Sequence, residues 1–243
     1  MVGTVCDTNR HVFDIWTHHK LFPNNFLVRA PSTASDAAVE YFTTELKRLG
    51  AEMEKISGQK LTEDGLRESI QLFNKNRELF EQFYDKRPNS GMSAEDAIYV
   101  FFSGLVTPIE EHNELMTKML AALPTSETAG KPRLMLSALN YNMSMDIIKM
   151  CENYGASVVT DDFIHNSRYG SYRIDEDGDP FEALANGYLR KVPAPGIYSF
   201  EERATYIRDR MEKADAQGMI YLIQQYCDAF AVEYGVLKER FDK

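Results

Sequence analysis

Apolar and polar positions follow two periods along the chain, and the changes of period mark out the elements. Residues 1–5 are a short apolar run that reads as a strand. Asp7 or Thr8 can cap a helix that then runs to about His19, with Asn9, Val12, Phe13, Ile15 and Trp16 on a partly apolar face. "FLVRAP" (26–31) reads as a second strand, ended by Pro31. That strand–helix–strand order predicts a parallel sheet.

The next hundred residues carry the helical period. A helix opening at Ser35 or Asp36 and ending at Gly58 repeats Val39, Phe42, Leu46, Leu49 and Met53. A second opens at Thr62, repeats Leu66, Ile70, Phe73, Leu79, Phe80 and Phe83, and stops before Pro88. Two more are predicted over 93–106 and 107–123, the latter with Pro108 at its first position. Aromatic stripes at this spacing predict core.

"PTSETAGKP" (124–132) is polar with Pro and Gly, and reads as a linker. The β/α rhythm then resumes. Strands are predicted over 133–139, 156–163 and 218–226, with helices over 143–155, 199–217 and 228–241. The expected fold is α/β, with two Rossmann-like parallel-sheet lobes and a helical section between them. Residues 1–34 are then part of a first lobe, 35–123 the helical section, 124–132 the linker and 133–243 the second lobe.

Composition narrows the function. With 243 residues and 44% hydrophobic content, the chain can bury a sizeable core. A net charge of −10 without a long basic run argues against nucleic-acid binding, which needs clustered Lys and Arg. No apolar stretch approaches the roughly 20 residues of a membrane span, and the N-terminus lacks a signal-peptide layout. Three cysteines are too few for a disulfide scaffold and suit a reducing cytoplasm. Cys151 falls inside a helix near Ile147, Ile148 and Met150, and reads as core.

The other two cysteines share a setting. Cys6 and Cys227 each end an apolar run, are followed by Asp, and precede a helix. In a parallel sheet, ligands bind beyond the carboxyl ends of the strands. A helix N-terminus favours a thiolate there, and thiolates ligate iron–sulfur clusters. If the two units face one crevice, both cysteines can meet at one site. Core packing, a reactive thiol and metal ligation all remain open on the residues alone. His18 and His19 are adjacent and point different ways on a helix, as in a solvated pair. Asp161 and Asp162 fit either a cation site or a strand-end turn. "DEDGD" (175–179) lacks the later bidentate Glu of a calcium loop and reads as an acidic surface turn. There is no GxGxxG, P-loop or GxSxG.

Arg168 and Tyr169 follow a predicted strand, so they fall on a loop at its carboxyl end. Arg offers a planar fork of donors suited to a phosphate or a thioester oxygen. Tyr sets a hydroxyl beside an apolar ring. The alternative is that Arg168 pairs with Asp161 or Asp162 and fixes the loop.

Seven stretches, in order, resemble the benzoyl-CoA reductase / 2-hydroxyacyl-CoA dehydratase family, in its large cluster-bearing subunits. They are "CDTNRHVFDIW", "SDAAVEYFTTELKRL", "LTEDGLRESIQLFNKNREL", "PIEEHNELM", "DDFIHNSRYG", "DGDPFEALANGYL" and "IYLIQQYCDAFAVEYGVLK". The most specific are the "SRY" stretch, Ser167 to Tyr169, and the final Cys-Asp unit. The resemblance implies a [4Fe-4S] cluster with three cysteine ligands per subunit. Cys6 and Cys227 fall on the second and third, and the first is expected upstream of Met1. The family pattern also continues beyond Lys243, so the second lobe is expected to be incomplete at its C-terminus. In "DDFIHNSRYG" the family commonly shows Cys where Ile164 stands and Gly where Asn166 stands.

The resemblance further implies a subunit of a cytoplasmic enzyme of anaerobic metabolism acting on acyl-CoA thioesters. A separate ATP-hydrolysing iron–sulfur activator supplies a low-potential electron to the cluster, which passes it to the thioester. The outcome is dehydration of a 2-hydroxyacyl-CoA through a ketyl radical anion, or reduction of a benzoyl-CoA ring. The expected partners are a paralogous second large subunit, the activator and the acyl-CoA. Ser167, Arg168 and Tyr169 are the expected substrate-binding residues. Two other functions fit the chain: a cluster-less partner subunit of such a complex, and a plain α/β small-molecule binding module.

Overall fold

The computed structural model describes residues 7–126, 130–139, 144–163, 165–195, 197 and 199–241. In chain order the elements are α1 (Asp7–His18), α2 (Asp36–Ser57), α3 (Glu63–Lys86), α4 (Ala94–Val106), α5 (Ile109–Ala122), β1 (Arg133–Ala138), α6 (Met145–Asn153), β2 (Ser157–Asp161), α7 (Pro180–Arg190), α8 (Phe200–Lys213), β3 (Gly218–Leu222) and α9 (Asp228–Phe241). The chain packs as two compact units. One comprises residues 1–71 and 174–191, the other 72–173 and 192–243. The helical section expected over 35–123 is therefore divided between them, with the boundary inside α3.

In the first unit, α2 begins where Ser35 accepts a hydrogen bond from the Ala38 N–H at 3.3 Å. It ends at Gly58, whose φ of 70° closes the last turn onto the Glu54 carbonyl. Val39 and Phe42 pack with Val28 and with Ala185 of α7. Met53, expected on the same stripe, is 58% exposed. The predicted strand 26–31 contributes only a single bridge residue, Val28. Its backbone is engaged by α2 side chains: the Leu27 carbonyl accepts from Arg48, and the Arg29 N–H donates to Glu45. Helix α7 has no counterpart in the sequence prediction, although its start is well formed. Asp179 Oδ1 accepts from the Phe181 and Glu182 N–H groups, with Pro180 in the first turn. The predicted strand 1–5 lies outside the described residues.

In the second unit, β1, β2 and β3 form one parallel sheet in the order β2-β1-β3. This is the only sheet among the described residues, where the sequence predicts a lobe at each end. β1 is buried on both faces, as a central parallel strand must be. On one side Leu136 and Ala138 pack with Ile98, Ile148, Cys151 and Val158. On the other, Met135 packs with Ala204, Ile207 and Leu237. A separate aromatic core joins α3, α4 and α5 through Phe80, Phe83, Tyr84, Phe101 and Met116. Phe73 lies outside it and is 42% exposed. Pro108 occupies the capping position before α5 rather than its first turn. Among the described residues, no helix is long and apolar enough to cross a membrane.

Candidate functional site

Parallel strands place their carboxyl ends on one edge, and in the second unit that edge collects the buried charges. β2 ends in Asp161, and the chain turns at once, so that Asp161 organises the loop after it. Its Oδ1 accepts from the N–H groups of Phe163 and Ser167, both at 3.2 Å, and its carbonyl accepts from Ser167 Oγ at 2.6 Å. Oδ2 accepts from the Tyr84 hydroxyl at 2.6 Å and lies 3.7 Å from Arg87 Nη1. Burial, then the Asp161 charge, holds the Tyr84 phenol well above its ordinary pKa, so it stays a donor.

Asp162 is fully buried and more heavily engaged. It accepts from Ser137 Oγ of β1 at 2.9 Å, and from Arg203 of α8 through both terminal nitrogens, one at 3.0 Å. Arg203 is 1% exposed, and its Nε stands 2.6 Å from Glu233 Oε1 of α9. Glu233 in turn accepts from the Tyr221 hydroxyl of β3 at 2.7 Å. Burial opposes the charge on Arg203, but Asp162 and Glu233 outweigh it and raise the guanidinium pKa. Burial likewise raises Tyr206, whose hydroxyl donates to Ser167 Oγ at 3.0 Å.

The predicted residues Ser167, Arg168 and Tyr169 separate in role. Ser167 lines a cavity of about 510 Å³ with Tyr84, Tyr206 and Arg210. Arg168 is 6% exposed and donates to the Val192 carbonyl at 3.0 Å. Its Nε lies 3.9 Å from Asp162 Oδ1, and neither Nε nor Nη1 has a hydrogen-bond partner. Burial lowers its pKa against the pull of Asp162. Tyr169 turns into the aromatic core instead. It packs edge-on to Phe80 and Phe101, and its hydroxyl donates to Asn76 Oδ1 at 3.0 Å. Asn166 is 1% exposed, and neither atom of its amide is hydrogen-bonded. Ile164 lies outside the described residues.

Cys227 follows β3 and holds the capping position of α9, its carbonyl accepting from the Ala231 N–H at 3.0 Å. It is a free, half-buried thiol. Because β3 is parallel to β1 and β2, the chain leaves β3 at the same edge as the 161–168 loop, and Cys227 follows after residues 223–226. A thiol on a helix N-terminus fits one ligand position of an iron–sulfur cluster. Cys151 does not belong here: it packs on α6 with Ile148 and Val158, and burial raises its pKa. Cys6 lies outside the described residues. Among those described, no three His, Cys, Asp or Glu side chains converge on a metal position.

Sequence reasoning missed Arg203, Glu233, Tyr84 and Tyr206. One signal was present. Arg203, Ile207 and Arg210 recur on the face of α8 that also carries Ala204, and all four are buried. An arginine at a core position implies a buried carboxylate partner.

Comparison with known proteins adds the family context. The sequence profile of the 2-hydroxyglutaryl-CoA dehydratase D-component family matches residues 1–243. The chain is 27% identical to a subunit of the benzoyl-CoA reductase of Thauera aromatica, covering 98% of this chain and 64% of that one. It is 26% identical to the beta subunit of (R)-2-hydroxyglutaryl-CoA dehydratase of Acidaminococcus fermentans, covering 98% and 65%. Identity to the (R)-phenyllactyl-CoA dehydratase beta subunit of Clostridium sporogenes is 24%, covering 86% and 56%. The chain thus spans less than two thirds of the length of these relatives.

Proposed function

The chain belongs to the 2-hydroxyglutaryl-CoA dehydratase D-component family, and from that membership we propose that it acts as a subunit of an iron–sulfur enzyme on acyl-CoA thioesters. Either 2-hydroxyacyl-CoA dehydration or benzoyl-CoA reduction is the reaction. The observation that carries this reading is the place of Cys227. It is a free thiol at the N-terminus of α9, on the chain that leaves β3 at the sheet edge from which the 161–168 loop also departs.

In this reading Cys227 is one ligand of a [4Fe-4S] cluster, with Cys6 a second and a third ligand upstream of Met1. The cluster, when bound, supplies single electrons of low potential. The protein's own residues prepare the surroundings. Ser167 and Tyr206 line the cavity, and the raised pKa of Tyr206 keeps its proton in place as the donor to Ser167. Arg168, with two nitrogens unspent, anchors an oxygen of the acyl-CoA. Tyr169 supports the loop from the core side. The partners are a paralogous second subunit and an ATP-hydrolysing iron–sulfur activator, all in the cytoplasm.

Iron and acid-labile sulfide in the full-length protein, purified without oxygen, test the reading. Wild type should hold both, and Cys227→Ser should lose most of each. Undiminished iron and sulfide in Cys227→Ser would sink it. Turnover of 2-hydroxyacyl-CoA against benzoyl-CoA by the assembled enzyme then decides the reaction.

A further inference from the structure

Arg203 joins two parts of the second unit that the sequence keeps apart. One is the turn after β2, where Asp162 precedes the Ser167–Arg168 loop. The other is α9, which carries Cys227 at its start and Glu233 six residues later. The guanidinium hydrogen-bonds Asp162 with both terminal nitrogens, and its Nε makes an ion-pair contact with Glu233 Oε1 at 2.6 Å that lacks hydrogen-bond geometry. Each carboxylate is tied to a further strand. Asp162 accepts from Ser137 of β1, and its N–H donates to the Leu136 carbonyl at 3.0 Å. Glu233 accepts from Tyr221 of β3, and the same hydroxyl reaches the Phe230 carbonyl in the first turns of α9 at 3.4 Å. With Arg168 3.9 Å from Asp162, two buried cations face two buried anions.

Stability alone does not explain this arrangement. Replacing a buried ion triad by apolar side chains is often neutral or stabilising, because the desolvation of the charges offsets their attraction. What a fork of fixed geometry adds is direction: a bidentate guanidinium sets the angle as well as the distance between its partners. We propose that Arg203 is a positioning residue, clamping α9 to the 161–168 loop so that the Cys227 thiol keeps a fixed place relative to Ser167 and Arg168. The proposal rests on the reading of Cys227 as a cluster ligand for its purpose. The clamp itself is measurable without the cluster.

Two variants of the full-length protein test it: Arg203→Lys, which keeps the charge and loses the fork, and the triple variant Asp162→Asn, Arg203→Met, Glu233→Gln, which removes every charge of the triad. The first readout is alkylation of Cys227 by iodoacetamide in cluster-free protein, followed on its own peptide by mass spectrometry, with buried Cys151 as the slow reference. The second is the reduction potential of the reconstituted cluster. The expected result is cooperative unfolding in both variants, a Cys227 alkylation rate changed by about tenfold as the thiol's surroundings and access change, and a shifted potential. Wild-type alkylation rate and potential in a folded triple variant would overturn the proposal. So would loss of cooperative unfolding in both variants, since the triad would then hold the fold rather than the thiol. Full iron retention in Cys227→Ser strikes at the cluster reading instead, and leaves the alkylation rates to judge the clamp.

Discussion

Gly104 of α4 lies against the imidazole of His112 of α5, so closely that a Cβ at position 104 would stand 2.8 Å from its Cε1. The ring has no room to yield. Its Nδ1 accepts from the Asn76 amide at 2.8 Å, and Nε2 lies 3.1 Å from Ser103 Oγ and 3.3 Å from the Val100 carbonyl. Phe80 stacks on it at 6.0 Å. Gly104→Ala gains helix propensity but must displace this network. We expect a net loss of about 1–3 kcal/mol, as for other overpacked cores, read as a lower urea midpoint. An unchanged or higher midpoint would show that the ring can move.

The same histidine gives the fold a pH dependence. His112 is 1% exposed, and burial holds its pKa below the ordinary value of 6.5, against a smaller opposing contribution from the Val100 carbonyl. In the unfolded chain it takes up a proton near pH 6.5, whereas in the folded chain it does so only at lower pH. The unfolded state therefore binds more protons in that window, and stability falls as the pH drops. The contribution is complete above about pH 6.5 and is lost as the pH falls from there through the folded pKa. Urea midpoints at pH 7.5 and 5.5 should differ more in wild type than in His112→Gln. Equal differences would place the effect elsewhere.

Much of the fold was legible because its signals are local. The cap at Ser35, the stop at Gly58 and the strands β1 to β3 are set by neighbours within a few residues. Where a remote side chain decides, the pattern misleads. Residues 26–31 have the composition of a strand, but Arg48 and Glu45 take up their backbone groups. Helix α7 follows a run of acidic residues whose composition suggests cation binding or a surface turn, although Asp179-Pro180 is a good helix start. The site divides the same way. The strand, Cys-Asp and helix pattern predicts a strand running to Tyr226, whereas β3 ends at Leu222 and residues 223–226 separate it from Cys227. The partner of Asp162 sits 41 residues away on α8, beyond any local pattern.

Cys151 is expected to contribute packing alone. It is 8% exposed among Ile148, Val158 and Phe163, and burial keeps its thiol protonated to higher pH than usual. Cys151→Ala should cost about 1 kcal/mol through the small void it leaves. Iron and sulfide content of the full-length protein should not change. A fall in iron for Cys151→Ala, at unchanged fold, would bring Cys151 into the site after all.

Arg168→Lys separates the two roles that Arg168 can hold. As a structural residue it donates to the Val192 carbonyl and stands 3.9 Å from Asp162, whose charge Arg203 already meets. Lysine keeps the cation, so Asp162 stays balanced, and the lost hydrogen bond should cost about 1 kcal/mol. As an anchor, Arg168 uses the nitrogens that have no hydrogen-bond partner in the protein, Nε and Nη1. Lysine has no planar fork to replace them. The expected result is a modest fall in the unfolding midpoint together with about a tenfold loss of acyl-CoA affinity, the worth of one charge-assisted hydrogen bond. Affinity and turnover of the assembled full-length enzyme are the measurements. If both match wild type while the midpoint falls, the loop-fixing role accounts for Arg168 and the anchor role is abandoned.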